Sequence, residues 1–153
     1  LEILYLVLSI LLKELATLSK KSILFLCTGN SCRSQMAEGI ASKYLKEHLI
    51  SSAGTFPEPV NPNAIKSMEE IGIDISNNQS KKIDSDMLNN FDLVITLCGD
   101  AKDKCSVITS GEHIHWDILD PAKFIGSFEE IRLKYSKVRD IIYNNIQLLK
   151  DKL

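Results

Sequence analysis

The chain has 153 residues, 44% of them hydrophobic and 25% charged, with only 7 glycines and 4 prolines. That is the make-up of a globular chain with one core, and it excludes a long disordered stretch. A net charge of −2 and a pI near 5.9, with no basic run longer than Lys20-Lys21 or Lys81-Lys82, exclude a nucleic-acid-binding face built on phosphate contacts.

Residues 1–12, LEILYLVLSILL, are apolar apart from Glu2 and Ser9. The run ends at Lys13-Glu14, short of the roughly 20 apolar residues that span a bilayer. Glu2 has the wrong sign for a secretory signal, and no small-residue cleavage site follows. The expectation is a helix over about 2–18, apolar almost all round and therefore packed on something. It forms an extension, residues 1–20, ahead of a domain at 21–153.

Residues 22–26, SILFL, read as a strand, and the small polar residues 27–31 as a loop. From Arg33 to about Glu47, Met36, Ala37, Ile40, Ala41, Tyr44 and Leu45 recur at helical spacing. A second strand covers 48–53 and stops at Gly54. Asn61 caps a helix with Pro62 at its first position, and that helix runs to about Ile71 and ends at Gly72. A short helix is expected over 84–90. Residues 92–97, DLVITL, form a strand apolar enough to be buried on both faces. A polar loop carries Cys98 to Cys105, a last strand covers 112–118, and a long helix covers 127–150. His113, His115 and Trp116 fit alternation along that last strand better than a metal or aromatic site.

Strands alternating with helices predict an α/β fold of three layers: a four-stranded parallel sheet flanked by helices, with the extra N-terminal helix added. In such sheets the site lies beyond the carboxyl ends of the strands. Cys27, Cys98 and Asp120 all fall at or just after predicted strand ends.

Cys27-Thr28-Gly29-Asn30-Ser31-Cys32-Arg33-Ser34 is a C-x5-R-S segment between a strand and a helix. Its chemistry suits a tetrahedral oxyanion. The loop N–H groups form an anion nest, the helix presents its positive end, and Arg33 adds a planar fork for two oxygens. The same surroundings favour a thiolate at Cys27 and make it a nucleophile. Ser34 donates to that thiolate, and Gly29 relieves crowding. There are four cysteines, Cys27, Cys32, Cys98 and Cys105. Without a secretory signal they read as reduced, reactive thiols of a cytoplasmic protein rather than as structural disulfides. A four-cysteine zinc site is disfavoured by the C-x4-C and C-x6-C spacings, so no metal site is expected. Inert burial of Cys98 and Cys105 is the plain alternative to redox chemistry.

The stretch CTGNSCRSQMAEG at 27–39 closely resembles the phosphate-loop signature of thioredoxin-coupled arsenate reductases, which share the low-molecular-weight tyrosine phosphatase fold. The resemblance continues through Ser52-Ala53-Gly54, Val60-Asn61-Pro62, residues 72–76, residues 92–98 and Asp120-Pro121. It covers about residue 22 to the end. It implies that oxyanion binding falls to residues 27–34 and catalysis to Cys27, Arg33, Cys98, Cys105 and Asp120, with Asp120 as general acid. It also implies thioredoxin as reductant. A monomer is expected. Cys32 is expected to be structural within the loop and outside the relay. Some members hold potassium beside the loop. Asn30, Glu38 and Ser52 match that pattern, but Lys81 stands where a further carboxylate belongs. A lysine there repels the cation or replaces it with its own charge.

The alternative is a tyrosine phosphatase using Cys27, Arg33 and Asp120. Against it, Ala122 stands where the phosphatases carry a tyrosine wall, Thr28 and Ser31 follow the reductases, and Cys98 and Cys105 have no task in ester hydrolysis. A module that only senses metalloids needs thiols but neither Arg33 nor Asp120.

Overall fold

Four short runs of sequence become one parallel sheet in a computed structural model, which describes residues 1–99 and 111–153 (the side chains of 17 and 18 excepted). The strands are β1 (Ser22–Cys27), β2 (Leu49–Gly54), β3 (Leu93–Thr96) and β4 (Glu112–His115), in the order β2-β1-β3-β4. Their register runs from Ser22↔Leu49 to Cys27↔Gly54, from Ile23↔Leu93 to Leu26↔Thr96, and from Leu93↔Glu112 to Thr96↔His115. β1 and β3 lie inside the sheet and are almost wholly buried, as strands without a polar face must be. β4 is an edge, and its outer residues stay exposed.

Helices connect and flank the sheet: α1 (Glu2–Ser19), α2 (Arg33–Tyr44), α3 (Pro62–Glu69), α4 (Ser85–Asn90) and α5 (Phe128–Lys150), with a 3₁₀ turn at Pro121–Lys123. Three of their starts follow capping chemistry. Asn61 accepts from Asn63 N–H with Pro62 in the first turn, Asp84 accepts from Met87 N–H, and Ser127 and Glu130 form a reciprocal capping box. Gly72, at φ 75°, ends the turn after α3, where Ile73 N–H reaches back to Met68 O at 3.1 Å. The core joins Ile23, Leu24, Phe25 and Leu26 of β1 to Met36 and Ile40 of α2 and Ile142 and Ile146 of α5, each buried. Each such side chain contributes about 1.5–3 kcal/mol.

Three expectations need correction. α1 forms where the sequence places it, but it is not buried: Ile3, Leu4 and Tyr5 are 79%, 69% and 78% exposed, and Leu8, Leu11 and Leu15 are also in solvent. Apolar character predicted burial, yet the core closes without this helix. α2 stops at Tyr44 rather than near Glu47, because Leu45 turns inward to a fully buried site. β4 ends at His115 rather than at 118, because β3, its only partner among the described residues, is four residues long. His113 and His115 share one face of β4, and Thr96 Oγ1 lies between their rings at 3.1 and 2.8 Å.

Candidate active site

Cys27 closes β1 and Arg33 opens α2, so the five residues between them must turn the chain at the carboxyl edge of the sheet. The carbonyls of this loop are all taken, those of 27–31 by other segments and that of Cys32 by the first turn of α2. Cys27 O accepts from Thr55 N–H (3.3 Å), Thr28 O from Phe56 N–H (2.8 Å), Gly29 O from Glu58 N–H (2.8 Å) and Ser31 O from Asn61 N–H (2.9 Å). Asn30 O accepts from the Ser80 hydroxyl at 2.8 Å, and Cys32 O from Met36 N–H at 2.9 Å. In a planar trans peptide the C=O and the next N–H point opposite ways. Carbonyls turned outward from Cys27 to Cys32 therefore turn the N–H groups of 28–33 toward the concave side. This is an anion nest at a helix N-terminus.

The loop is held tightly. Asn30 takes the left-handed conformation, φ 47°. A Cβ on Gly54 would lie 2.6 Å from Thr28 O and 2.8 Å from Asn30 N, so only glycine lets β2 approach this closely. By sequence Gly54 reads as a strand end inside a stretch that carries the family resemblance, with no hint of this approach.

Hydrogen-bond directions around Cys27 follow from the donors. Asn30 Nδ2 can only donate, and it reaches Ser34 Oγ at 2.8 Å and Ser52 Oγ at 2.9 Å. Each serine thereby keeps its own proton for a further partner. Ser52 gives its proton to Glu38 Oε2. Ser34 Oγ lies 2.8 Å from Cys27 Sγ, and a thiolate there can only accept the serine proton.

Arg33 is buried and anchored. One terminal nitrogen donates to Ile118 O at 2.8 Å and Leu97 O at 3.3 Å, and the other lies 3.5 Å from Asp120 Oδ2. Asp120 sits five residues beyond β4 rather than directly after it. It caps the 3₁₀ turn, with Oδ1 accepting from Ala122 N–H at 3.0 Å. Cys98, just past β3 and 8% exposed, lies beside the loop entrance, its sulfur 3.3 Å from Thr28 Oγ1. Cys105 lies outside the described residues. Cys27, Cys32 and Cys98 are free thiols.

Cys27, Arg33, Cys98 and Asp120 line one open cavity of about 780 Å³, together with Cys32, Thr28, Gly29 and Ser31. Asn30 and Ser34, also expected at the oxyanion, are fully buried behind it. Phe56, Glu58, Phe124 and Lys134 also line it, and none of them was singled out by sequence. Cys32 differs from Cys27. Burial pushes its thiol up to about 11, and Tyr135 OH stands 3.8 Å away. The tyrosine hydroxyl is raised as well, chiefly by burial and then by the nearby sulfur.

A cysteine held against an anion nest, backed by a buried arginine and faced by a carboxylate, defines a cysteine-based enzyme acting on a tetrahedral oxyanion. Residues 22–153 match the low molecular weight phosphotyrosine protein phosphatase family, and the chain belongs to it. Its relatives include an arsenate reductase of Bacillus subtilis (strain 168), 53% identical over 134 residues, covering 85% of this chain and 95% of that protein. Among solved structures, an arsenate reductase in the phosphate binding state is 35% identical with a TM-score of 0.65, covering 83% of this chain and 97% of that one. A low molecular weight protein tyrosine phosphatase from T. tengcongensis is 28% identical with a TM-score of 0.72, covering 87% and 99%.

Proposed function

We propose that this chain reduces arsenate to arsenite through a relay of Cys27, Cys98 and Cys105 that thioredoxin regenerates, acting as a cytoplasmic monomer. The observation that carries the reading is the second thiol. Cys98 stands at the entrance of the oxyanion loop, 3.3 Å from Thr28 Oγ1, and ester hydrolysis has no use for it.

Arsenate enters the nest of residues 27–34. The Cys27 sulfur attacks arsenic, an As–S bond forms, and an As–O bond breaks as Asp120 gives its proton to the leaving oxygen. Cys98 then attacks the Cys27 sulfur. A Cys27–Cys98 disulfide forms, the electron pair of the S–As bond passes to arsenic, and arsenite leaves two electrons richer. Cys105 attacks Cys98, which frees Cys27 and leaves a Cys98–Cys105 disulfide for the thioredoxin dithiol. The test is arsenite formation with thioredoxin, thioredoxin reductase and NADPH, comparing the intact chain with Cys98→Ser. Turnover that survives the substitution overturns the relay. Cys105→Ser should release one arsenite per enzyme and then stop.

A second reading, weak hydrolysis of aryl phosphates, draws on one observation. Phe56 and Phe124 line the cavity, although Ala122 supplies no aromatic wall.

The loop surroundings do not fit a potassium ion. Asn30 Oδ1 already accepts from Gln35 Nε2 at 3.2 Å and Lys81 N–H at 2.9 Å, and the Lys81 ammonium lies 3.9 Å from Glu38 Oε1. On this reading the lysine supplies the positive charge in the ion's place.

A further inference from the structure

We infer that Gln35, outside the oxyanion cradle, is a positioning residue that sets the direction of the hydrogen bond to Cys27. The inference rests on Cys27 being the nucleophile.

The Asn30 amide has two possible orientations. In the one observed, its NH₂ faces Ser34 and Ser52, and each serine proton is free for Cys27 or Glu38. Rotated by half a turn, the amide would present its oxygen to the two serines. Ser34 would then give its proton to Asn30, and the Cys27 sulfur would lose its donor. The orientation of one buried amide thus decides whether the nucleophile is solvated by a hydroxyl.

Two donors hold the oxygen of Asn30 in place. One is the backbone N–H of Lys81, which no substitution short of proline removes. The other is Gln35 Nε2, itself an amide that could be turned round. Gln35 is oriented in turn by Gln79 O, which accepts from Nε2 at 3.2 Å, and by Asn78 Nδ2, which donates to Oε1 at 3.1 Å. A backbone carbonyl can only accept. The polarity fixed at Gln79 and Lys81 therefore passes through Gln35 and Asn30 to Ser34, and ends on sulfur. Gln35 and Asn30 are both fully buried, so water does not substitute for a missing member. Every donor and acceptor of the Gln35 amide that the argument needs is engaged, while the side chain stays out of the cavity wall.

The experiment measures alkylation of Cys27 by iodoacetamide across pH 5–9 in the full chain, followed by mass spectrometry of the Cys27 peptide. The variants are Gln35→Glu, Gln35→Met, Ser34→Ala and Ser34→Ala with Gln35→Glu. A carboxylate at 35 turns acceptors toward Asn30 Oδ1 and Gln79 O and favours the rotated amide. It should slow alkylation near pH 6 roughly tenfold, about the effect of one hydrogen bond to a charged group, and move the profile to higher pH. Methionine removes the donor without adding a repelling acceptor and should cost about threefold, since the Lys81 N–H remains. With Ser34→Ala the relay has no end, so Gln35→Glu should add nothing further. Circular dichroism confirms folding; if the glutamate variant does not fold, the methionine variant decides. A wild-type profile in the folded Gln35 variants, or an undiminished shift in the Ser34→Ala background, overturns the proposal. An unreactive Cys27 in the wild type would instead overturn its assignment as nucleophile.

Discussion

Residues 22–34 and residues 1–15 are both rich in apolar side chains, yet one stretch is the most tightly fixed part of the molecule and the other lies in solvent. In the first, β1 pairs on both edges and every loop carbonyl from Cys27 to Ser31 meets a donor from another segment. In the second, the helix satisfies its own backbone and its side chains find little to touch. Apolar sequence gives a segment a reason to be buried. Partners for the edges and polar groups decide where it goes.

The largest effects should come from breaking the cradle. Cys27→Ser should abolish arsenite formation, because a hydroxyl at this position can neither carry arsenic through the relay nor form the disulfide. Arg33→Lys should lower kcat/KM by about 10²–10³, the typical cost of losing a preorganised donor at a developing charge. A lysine keeps the charge, but it cannot hold Ile118 O and Leu97 O while still facing Asp120. Steady-state rates of both variants check this, and a loss under about fivefold for Arg33→Lys would mean the guanidinium only props the fold.

Within the cradle, Cys27 and Cys32 sharpen the same contrast. They lie on one loop, but only Cys32 is packed against Tyr135, and burial moves its thiol from 9.0 to about 11. The folded state therefore holds this proton more tightly than the unfolded state. The associated stability is complete below about pH 9 and is lost as pH rises from 9 toward 11, by up to about 3 kcal/mol. Chemical denaturation at pH 8 and pH 10.5 should show a steeper loss in the wild type than in Cys32→Ala. Turnover at neutral pH should change less than about threefold in that variant, since the thiol is outside the proposed relay.

Much of this was legible beforehand. The C-x5-R-S spacing, the strand before it and the helix after it placed Cys27, Arg33 and Ser34 as found, and Asn61-Pro62 marked the start of α3 correctly. What the sequence did not disclose is what locks the loop. Gly54 matters because Thr28 O comes within 2.6 Å of a hypothetical Cβ. Tyr135 reaches Cys32 across 103 residues, and Gln79 and Lys81 orient amides near 30 and 35 through backbone groups any residue would supply. Such contacts carry no local pattern. The burial expected of α1 failed for the opposite reason: its pattern was strong and the helix formed, but burial depended on a surface elsewhere.

A smaller effect concerns the charge beside Glu38. If Lys81 stands in for a potassium ion, replacing KCl with choline chloride at equal ionic strength should change kcat/KM by less than about twofold, because an exposed ion pair of this kind contributes little by itself. Lys81→Asp should make the rate respond to potassium, since it restores a carboxylate where the ammonium lies 3.9 Å from Glu38. A wild-type enzyme strongly activated by potassium would show that the lysine leaves the ion room.

The smallest effect is expected from the other side of the comparison. The family match begins at Ser22, and among the described side chains the buried core contains none from α1. Deleting residues 1–20 should therefore leave the unfolding free energy within about 0.5 kcal/mol, the range of changes far from packed features. A free helix of this length is marginal in water, so α1 should also be the first part to lose amide protection in hydrogen exchange. Removing its exposed leucines should raise solubility, because contiguous apolar surface promotes association. Thermal melts and light scattering on the two chains decide the matter. A melting point lower by 5 °C or more, roughly 1.5–2.5 kcal/mol at this size, would mean that α1 packs on the domain after all. The contrast between a fixed loop and a free helix would then reduce to a difference in how many contacts each one makes.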